Sequence, residues 1–588
     1  MLRGPDTRLR LITALLIAIL LPILGQLLRL QLLEHSRYHN EVETLARRQY
    51  ALPDPSWGLI TDRNGDLLVG NMPVYDIGAE INLVTDTLMA ATTLAPLLNR
   101  SQQDIITALA LPADTSASLS NDTSSYRVVW RPLAYKVPLE AATAIKALNW
   151  SWITMTPTWE RFYAEGALAS HTLGFVNEEG MGYGVHAFQL RFLQGERVQR
   201  IGFVSGDTSP LPDEMAESNQ LPFPGTDLRL TIDRTIQAFV EGELDRALQE
   251  YSAEGGTILV MNTKTGEILA VASRPHYEPY LYPQYAAEGK DALFRDPAVS
   301  ILYEPGSVFK VLTVAAALDS GQAGLDWSYY DQGQLEYGGI KVRNASGAAY
   351  GQKNLQGLLD YSLNVGAATL STRAMGAEIF YQYVRAFGFG QTTGIEVTGE
   401  ADGYVHMPTD WDWSDSYLAT NAFGQGIAVT PLQMATAVAA LANDGVMMQP
   451  HIVAERHYPD GRTVLIPPRP LGQPISQETA RIVAGMMART VENELTVAQV
   501  PGYRIAGKTG TAQIPTTGGY EPEAVIVSMV GFGPLPDPQI LILVKIDRPN
   551  VSAALRWGTQ IAAPVFQQVA SRVFVLMGIP PTNLRAGP

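Results

Sequence analysis

Ser307-Val-Phe-Lys310 sets a hydroxyl and an amine three residues apart. At the start of a helix, residues i and i+3 share one face, so Oγ and Nζ come within hydrogen-bond reach. A serine attacks a carbonyl only when a base takes its proton, and a neutral lysine can be that base. The ordinary lysine pKa is ~10.4, so the pattern works only where burial or a nearby cation holds the amine low. Upstream, Glu304-Pro-Gly306 reads as a turn that presents Ser307 at the N-terminus of a helix predicted near 307–319. Backbone N–H groups point outward there and can stabilise an oxyanion. The chain has nine lysines, and only Lys310 has a serine three residues before it.

Two other short patterns could complete such a site. Ser362-Leu-Asn364 is the one S-x-N in the sequence, between predicted helices near 354–360 and 364–375, where a loop can aim both side chains into a cleft. Lys508-Thr-Gly-Thr511 lies on a strand-like run from Ile505 to Gln513. Gly510 lets a substrate backbone come close, and the lysine and threonine side chains suit a substrate carboxylate.

Two patterns look chemical and are read otherwise. A second Lys-Thr-Gly at 264–266 falls between predicted strands 257–261 and 268–272, which makes it a hairpin turn with Lys264 in water. Gly502 to Thr509 fits the phosphate-loop expression GxxxxGK[ST]. A phosphate loop follows a strand and opens a helix, whereas Pro501 precedes this one and β-rich sequence ending in Pro515-Thr-Thr-Gly-Gly519 follows it. Nucleotide binding is therefore not expected.

The elements that must position these residues begin near Pro224. A short strand at 227–232 leads to a helix at 234–251 with Asp233 as its N-cap; Ile236, Phe239, Val240, Leu244 and Leu248 recur at helical spacing. After the β-pair 257–261 and 268–272 come helices near 307–319, 354–360, 364–375, 377–387, 430–442 and 476–492. Strands near 504–513, 524–532 and 540–546 and a last helix at 558–576 end the pattern. A β-pair, then helices, then three strands and a helix predicts an α+β fold with helices on the faces of an antiparallel sheet. Residues 70–220 are irregular, with few long periodic helices, and Pro210 to Pro224 reads as a linker. Asn64-Gly65 between alternating apolar residues signals a hairpin turn, because both positions tolerate positive φ.

From Leu11 to Leu28 the chain is apolar and uncharged, close to the ~20 residues that span a bilayer. The pattern continues through Leu30, Leu32 and Leu33 with no small-x-small cleavage site, so an uncleaved anchor is expected. Arg3, Arg8 and Arg10 precede the span while Arg29, Arg37, Arg47 and Arg48 follow it, which leaves its orientation open. The rest of the 588 residues predicts two to four domains, and 46% apolar composition predicts a packed core. A net charge of −16 disfavours nucleic acid as a partner. With no cysteine and only scattered histidines, disulfides, thiol catalysis and a metal site have no support.

Ser307-x-x-Lys310, Ser362-x-Asn364 and Lys508-Thr-Gly510 stand in the order and rough spacing found in penicillin-binding proteins and serine β-lactamases. More widely, the chain resembles the class B (monofunctional) penicillin-binding proteins, the FtsI-like peptidoglycan D,D-transpeptidases. Glu304-Pro-Gly-Ser-Val-Phe-Lys310, Asn262-Thr-Lys-Thr-Gly-Glu-Ile-Leu-Ala270, Phe423-Gly-Gln-Gly426, Leu173-Gly-Phe-Val176 and Gly58-x-Ile60-x-Asp62-Arg63-Asn64-Gly65 carry that resemblance. It departs at Trp57, where the family usually has Arg, and at Gly182-Tyr-Gly-Val-His186, where the family commonly shows Gly-Leu-Glu.

The resemblance implies a short cytoplasmic tail (1–10), a transmembrane anchor (11–29), an elongated β-rich pedestal or dimerisation-like domain (30–220) and a transpeptidase domain of the penicillin-binding-protein/β-lactamase type (221–580). It implies catalysis by Ser307, Lys310, Ser362 and Lys508, with Asn364, Thr509, Gly510 and Thr511 holding the substrate and the N–H groups of Ser307 and Thr511 forming an oxyanion hole. No cofactor is implied. The implied substrates are peptidoglycan stem peptides, with β-lactams as inhibitors, and the implied partners are a polytopic SEDS glycosyltransferase and other division or elongation membrane proteins. The same motifs occur in β-lactamases and penicillin-sensing receptors, and an inert divisome scaffold could retain them. The deacylation string Glu-x-x-Leu-Asn of class A β-lactamases is absent, and intact Ser307, Lys310 and Lys508 argue against a scaffold.

Overall fold

The apolar run at the N-terminus forms one continuous helix, Pro5–Leu28, extended by a π-helical turn at Arg29–Leu33. Within it Ile12–Gln31 is long and apolar enough to cross a bilayer, and none of that span is buried against protein. A computed structural model describes residues 5–34, 47–51, 54–110, 130–177, 179–196, 199–203 and 223–582. Arg3, Arg37 and residues 210–222 of the expected linker lie outside the described residues.

The fold divides into two compact units, one built around 73–160 and the other comprising 57–72, 161–194 and 225–588. In the first, the strand stretch from Pro73 to Glu80 pairs antiparallel with Trp130–Pro138, with Val74 opposite Pro138 and Glu80 opposite Trp130. Three helices, Thr87–Leu98, Gln102–Leu109 and Leu139–Ala147, share a core of Ile77, Leu94, Ile105, Leu133 and Ile145. Asp86 and Ser101 cap the first two through the N–H groups of Met89 and Asp104. The irregular texture of residues 87–147 thus conceals three short helices whose alanine and threonine content blurs their periodicity.

The second unit is built on a five-stranded antiparallel sheet. Its strands are β1 (Gly255–Asn262), β2 (Ile268–Arg274), β3 (Ala506–Thr516), β4 (Gly519–Gly533) and β5 (Ile540–Asp547), ordered β3-β4-β5-β1-β2. β1 and β5 are rich in Val, Ile and Leu because both their faces are covered, and β4 is covered in this way only from Val527 onward. Helices α1 (Arg234–Tyr251) and α7 (Ala562–Leu576) pack on one face around Val240, Leu244, Phe566 and Val569. On the other face lie α2 (Lys310–Asp319), α3 (Leu355–Asp360), α4 (Asn364–Thr369), α5 (Pro431–Ala442) and α6 (Gln477–Asn493). Asp233 caps α1 as expected, accepting from the N–H groups of Thr235 and Ile236. A capping box between Thr430 and Gln433 opens α5, which is buried along its whole length.

Two helix starts need correcting, and the 64–65 turn has an organiser of its own. The helix predicted to begin at Ser307 begins as a 3₁₀ turn, Gly306–Phe309, and becomes α-helical only at Lys310. The last helix starts at Ala562, since 553–561 is a 3₁₀ turn and loop. At Asn64-Gly65 only Gly65 takes positive φ. The buried Asp62 organises that turn instead, its carboxylate accepting from the N–H groups of Asn64 and Asp66 at 2.7 and 2.9 Å and from Arg234 N–H at 3.1 Å.

Candidate active site

Ser307 reaches its place through a turn that only glycine allows. Gly306 has φ +58°, and a Cβ there would lie 3.2 Å from both Ala512 Cβ and Thr511 O. The turn is backed by Gly424, whose O accepts from Gly306 N–H at 3.0 Å. Tyr303 and Val429 exchange two backbone hydrogen bonds of 2.9 Å, which fixes the approach to the turn. The 3₁₀ geometry then carries Lys310 under the serine.

The three sequence patterns converge. Lys310 Nζ lies 3.0 Å from Ser307 Oγ and 3.2 Å from Ser362 Oγ, and it also donates to Ser362 O. Lys508 Nζ lies 3.1 Å from the same Ser362 Oγ. One hydroxyl therefore bridges two amines that come from opposite ends of the unit. Ser362 manages this from a left-handed backbone (φ +53°) in the three-residue break between α3 and α4, a strain that positions its side chain.

Both lysines are buried, at 0% and 2% exposure for Lys310 and Lys508. Burial disfavours the ammonium form and is the main reason Lys310 titrates well below the ordinary lysine range; the positive field of Lys508 adds to it. Lys508 is lowered to about 8, again by burial, with the Asp360 carboxylate pulling the other way. Lys310 is thus held the lower of the two, and the arrangement favours Lys310 over Lys508 as the amine that gives up its proton. The expected depression by a neighbouring cation is therefore present but second to burial.

The remaining expected residues line the same place. Thr509 is buried on β3, and Thr511 Oγ1 accepts from Gly558 N–H at 3.0 Å. A Cβ on Gly510 would sit 2.6 Å from Ser528 Oγ and 2.9 Å from Pro305 O, so this position admits glycine alone. Asn364 opens α4, and its amide donates to Arg343 O at 3.0 Å, so the side chain is oriented by the chain itself.

Both decoys fall away. Lys264 is partly exposed and pairs with Asp537 at 3.2 Å, while Gly502–Thr509 opens no helix and runs into β3.

Sequence reasoning missed Asp360 and the full part played by Glu304. Asp360 ends α3 two residues before Ser362, its carboxylate accepting from Thr490 Oγ1 and Gln356 Nε2 at 2.7 Å each. No local pattern marks it. Glu304 had a signal, its place in the Glu-Pro-Gly turn, but its burial and its partners come from distant segments.

Residues 256–571 match the penicillin binding protein transpeptidase domain, and residues 54–198 the penicillin-binding protein dimerisation domain. Stage V sporulation protein D of Bacillus subtilis is 32% identical over 533 residues, covering 90% of this chain and 79% of that protein. The peptidoglycan D,D-transpeptidase FtsI of Escherichia coli is 30% identical over 543 residues, covering 90% and 85%. Penicillin binding protein 3 of Mycobacterium tuberculosis superposes with a TM-score of 0.66 at 26% identity, over 92% of this chain and 98% of that one. With a family match across more than half its length and relatives aligned over most of theirs, the chain belongs to the class B penicillin-binding proteins and carries their transpeptidase domain beside a dimerisation domain.

Proposed function

We propose that this protein is a peptidoglycan D,D-transpeptidase that cross-links stem peptides through an acyl-enzyme on Ser307. The observation that carries the reading is the Ser362 hydroxyl shared between Lys310 and Lys508, because it supplies a base, a relay and a cation in one pocket. Lys310 Nζ takes the Ser307 proton as Oγ bonds to the carbonyl carbon of the penultimate D-Ala. The peptide C–N bond then breaks as the Ser362 hydroxyl passes its proton to the amine of the departing D-Ala and takes the proton held by Lys310 Nζ, which returns Lys310 to its neutral form. Lys508 holds the relay hydroxyl in place and, with Thr509 and Thr511, offers a site for the terminal carboxylate. Asn364 hydrogen-bonds the donor peptide, and Gly510 lets the peptide backbone approach. The N–H groups of Ser307 and Thr511 would stabilise the oxyanion, each typically worth ~10²–10³ in rate. An amine of a second stem peptide then attacks the ester, loses its proton to Lys310, and returns Ser307 to its hydroxyl form.

β-Lactams fit the same chemistry: Oγ acylates as the lactam C–N bond opens, and the protein stays blocked while no acceptor displaces it. The N-terminal helix supports a single-pass membrane anchor with the transpeptidase domain on the extracytoplasmic side, where peptidoglycan is built. By the family resemblance, a SEDS-type glycosyltransferase supplies the glycan strand.

Incubation with a fluorescent penicillin followed by intact-mass measurement tests this reading. A stable adduct on the wild-type protein that is lost in Ser307→Ala is the expected result. Turnover of the drug within minutes would make the protein a β-lactamase instead, and no adduct on either would make it a scaffold.

A further inference from the structure

Glu304 is an acidic residue with only 7% of its surface exposed, three positions before Ser307. Its Oε1 accepts from Gly426 N–H at 2.8 Å and lies 3.4 Å from the Tyr520 hydroxyl at the start of β4. Its Oε2 is buried with no hydrogen-bond partner among the described residues. A buried carboxyl with one unpaired oxygen costs stability, and any neutral acceptor would be the more stable choice. Such a cost points to a role in the site rather than in the fold.

We propose that Glu304 is a positioning residue for Ser307, tying the 424–426 turn and the β3–β4 hairpin to the nucleophile's own turn. The geometry makes the three segments interdependent. Gly424 backs Gly306 so closely that a Cβ on Gly424 would lie 2.2 Å from Gly306 O. The same segment receives the Glu304 carboxyl two residues later, at Gly426. Gly424 and Gly426 both hold positive φ, +80° and +73°, and glycine leaves the backbone free to take other conformations, so the turn needs an outside anchor. The Tyr520 contact is the looser of the two and joins the strand hairpin that continues from Lys508-Thr-Gly-Thr511. Without the Oε1 acceptor, the 424–426 turn is free to shift, Gly306 loses its backing, and Oγ moves off the line to Lys310 Nζ. A misplacement of about 1 Å at a reacting atom lowers rates by about 100-fold.

This inference rests on Ser307 being the nucleophile, and the test separates the two. Full-length wild-type protein, Glu304→Gln and Glu304→Leu are reacted with a fluorescent penicillin over a concentration series, which resolves the saturating acylation rate from the initial affinity. Glutamine keeps the Oε1 acceptor, whereas leucine keeps the volume without it. The expected result is acylation within about threefold of wild type for Gln and about 10- to 100-fold slower for Leu, with initial affinity unchanged and melting temperatures measured alongside. A wild-type protein that does not label overturns the reading of Ser307. Labelling of Leu at the wild-type rate overturns the role of Glu304. If Leu does not fold, a folded Gln variant slowed more than tenfold overturns it equally, because the acceptor is still present.

Discussion

Trp57 stands edge-on to His186, with ring centroids 5.4 Å apart and planes at 87°. These are the two places where the chain leaves its family pattern. The family resembled usually has Arg before Gly58 and commonly shows Gly-Leu-Glu where this chain has Gly182-Tyr-Gly-Val-His186. Because Trp57 and His186 touch, the two departures amount to an exchange at a single contact. The guanidinium of Arg161, 5.7 Å from the centre of the Trp57 ring, supplies a positive charge that the indole face accepts.

If the exchange is concerted, undoing half of it is worse than undoing both. Trp57→Arg sets a second guanidinium beside Arg161 and should lower the melting temperature by at least about 4 °C. Adding His186→Glu should recover most of that loss. Differential scanning calorimetry of the two singles and the double gives the coupling, expected at about 1–3 kcal/mol. Additive losses would mean the two residues are merely adjacent.

His186 also makes the unit acid-sensitive. It is fully buried, and burial with the field of Arg161 holds its pKa well below the ordinary 6.5. Its Nδ1 lies 3.4 Å from the Tyr163 hydroxyl and its Nε2 has no partner among the described residues. Above pH 6.5 the ring is neutral folded or unfolded and contributes nothing. As the pH falls through 6.5, the unfolded chain takes up a proton that the folded chain refuses, so stability declines by up to ~1.4 kcal/mol per pH unit. His171 and His276 are lowered in the same direction, so the wild-type slope is shared. Urea unfolding between pH 5 and 7 should show a shallower slope in His186→Met than in wild type. Equal slopes would place the acid sensitivity elsewhere.

On the proposed mechanism Lys508 must stay a cation, and Asp360 is what favours that form against burial. Acylation by a penicillin should therefore fall above a pH of about 8. Asp360→Asn keeps an oxygen for Thr490 and Gln356 but removes the negative charge, so the alkaline limb should move to lower pH. At pH 8 the variant should acylate about two- to tenfold more slowly, with the two proteins alike near pH 6. Stopped-flow acylation across pH 5.5–9 decides it: an unmoved limb would show that Lys508 does not depend on Asp360.

How much of this could be read from the sequence depended on how local each signal was. Ser307 with Lys310, and Asp233 as a cap, are set by neighbours within one turn of helix, and the structure keeps both. The convergence of Ser362 and Lys508 is a long-range event, so their spacing alone named candidates without joining them; the family resemblance supplied that link. The three helices between 87 and 147 were obscured because alanine and threonine give little contrast between inner and outer faces. Asp360 and the partners of Glu304 were out of reach, since each acts through segments more than 100 residues away, at Thr490, Gly426 and Tyr520.

The support given by Gly424 to the turn of Ser307, the proposed nucleophile, can be tested without touching any reacting group. Gly424 and Gly461 both hold positive φ, +80° and +87°, so alanine costs similar backbone strain at either, about 1 kcal/mol. Their surroundings differ. A Cβ at Gly461 meets nothing within 4 Å, whereas at Gly424 it would sit 2.2 Å from Gly306 O and 2.6 Å from Gly306 N. Both of those atoms are backbone and cannot rotate away, so in Gly424→Ala the turn carrying Ser307 must move. Gly461→Ala should acylate like wild type, and Gly424→Ala at least about 100-fold more slowly. Matching circular dichroism spectra would show that both remain folded, leaving displacement of Ser307 as the difference. Equal acylation by the two variants would mean that the turn tolerates the shift and that Ser307 is held by α2 alone.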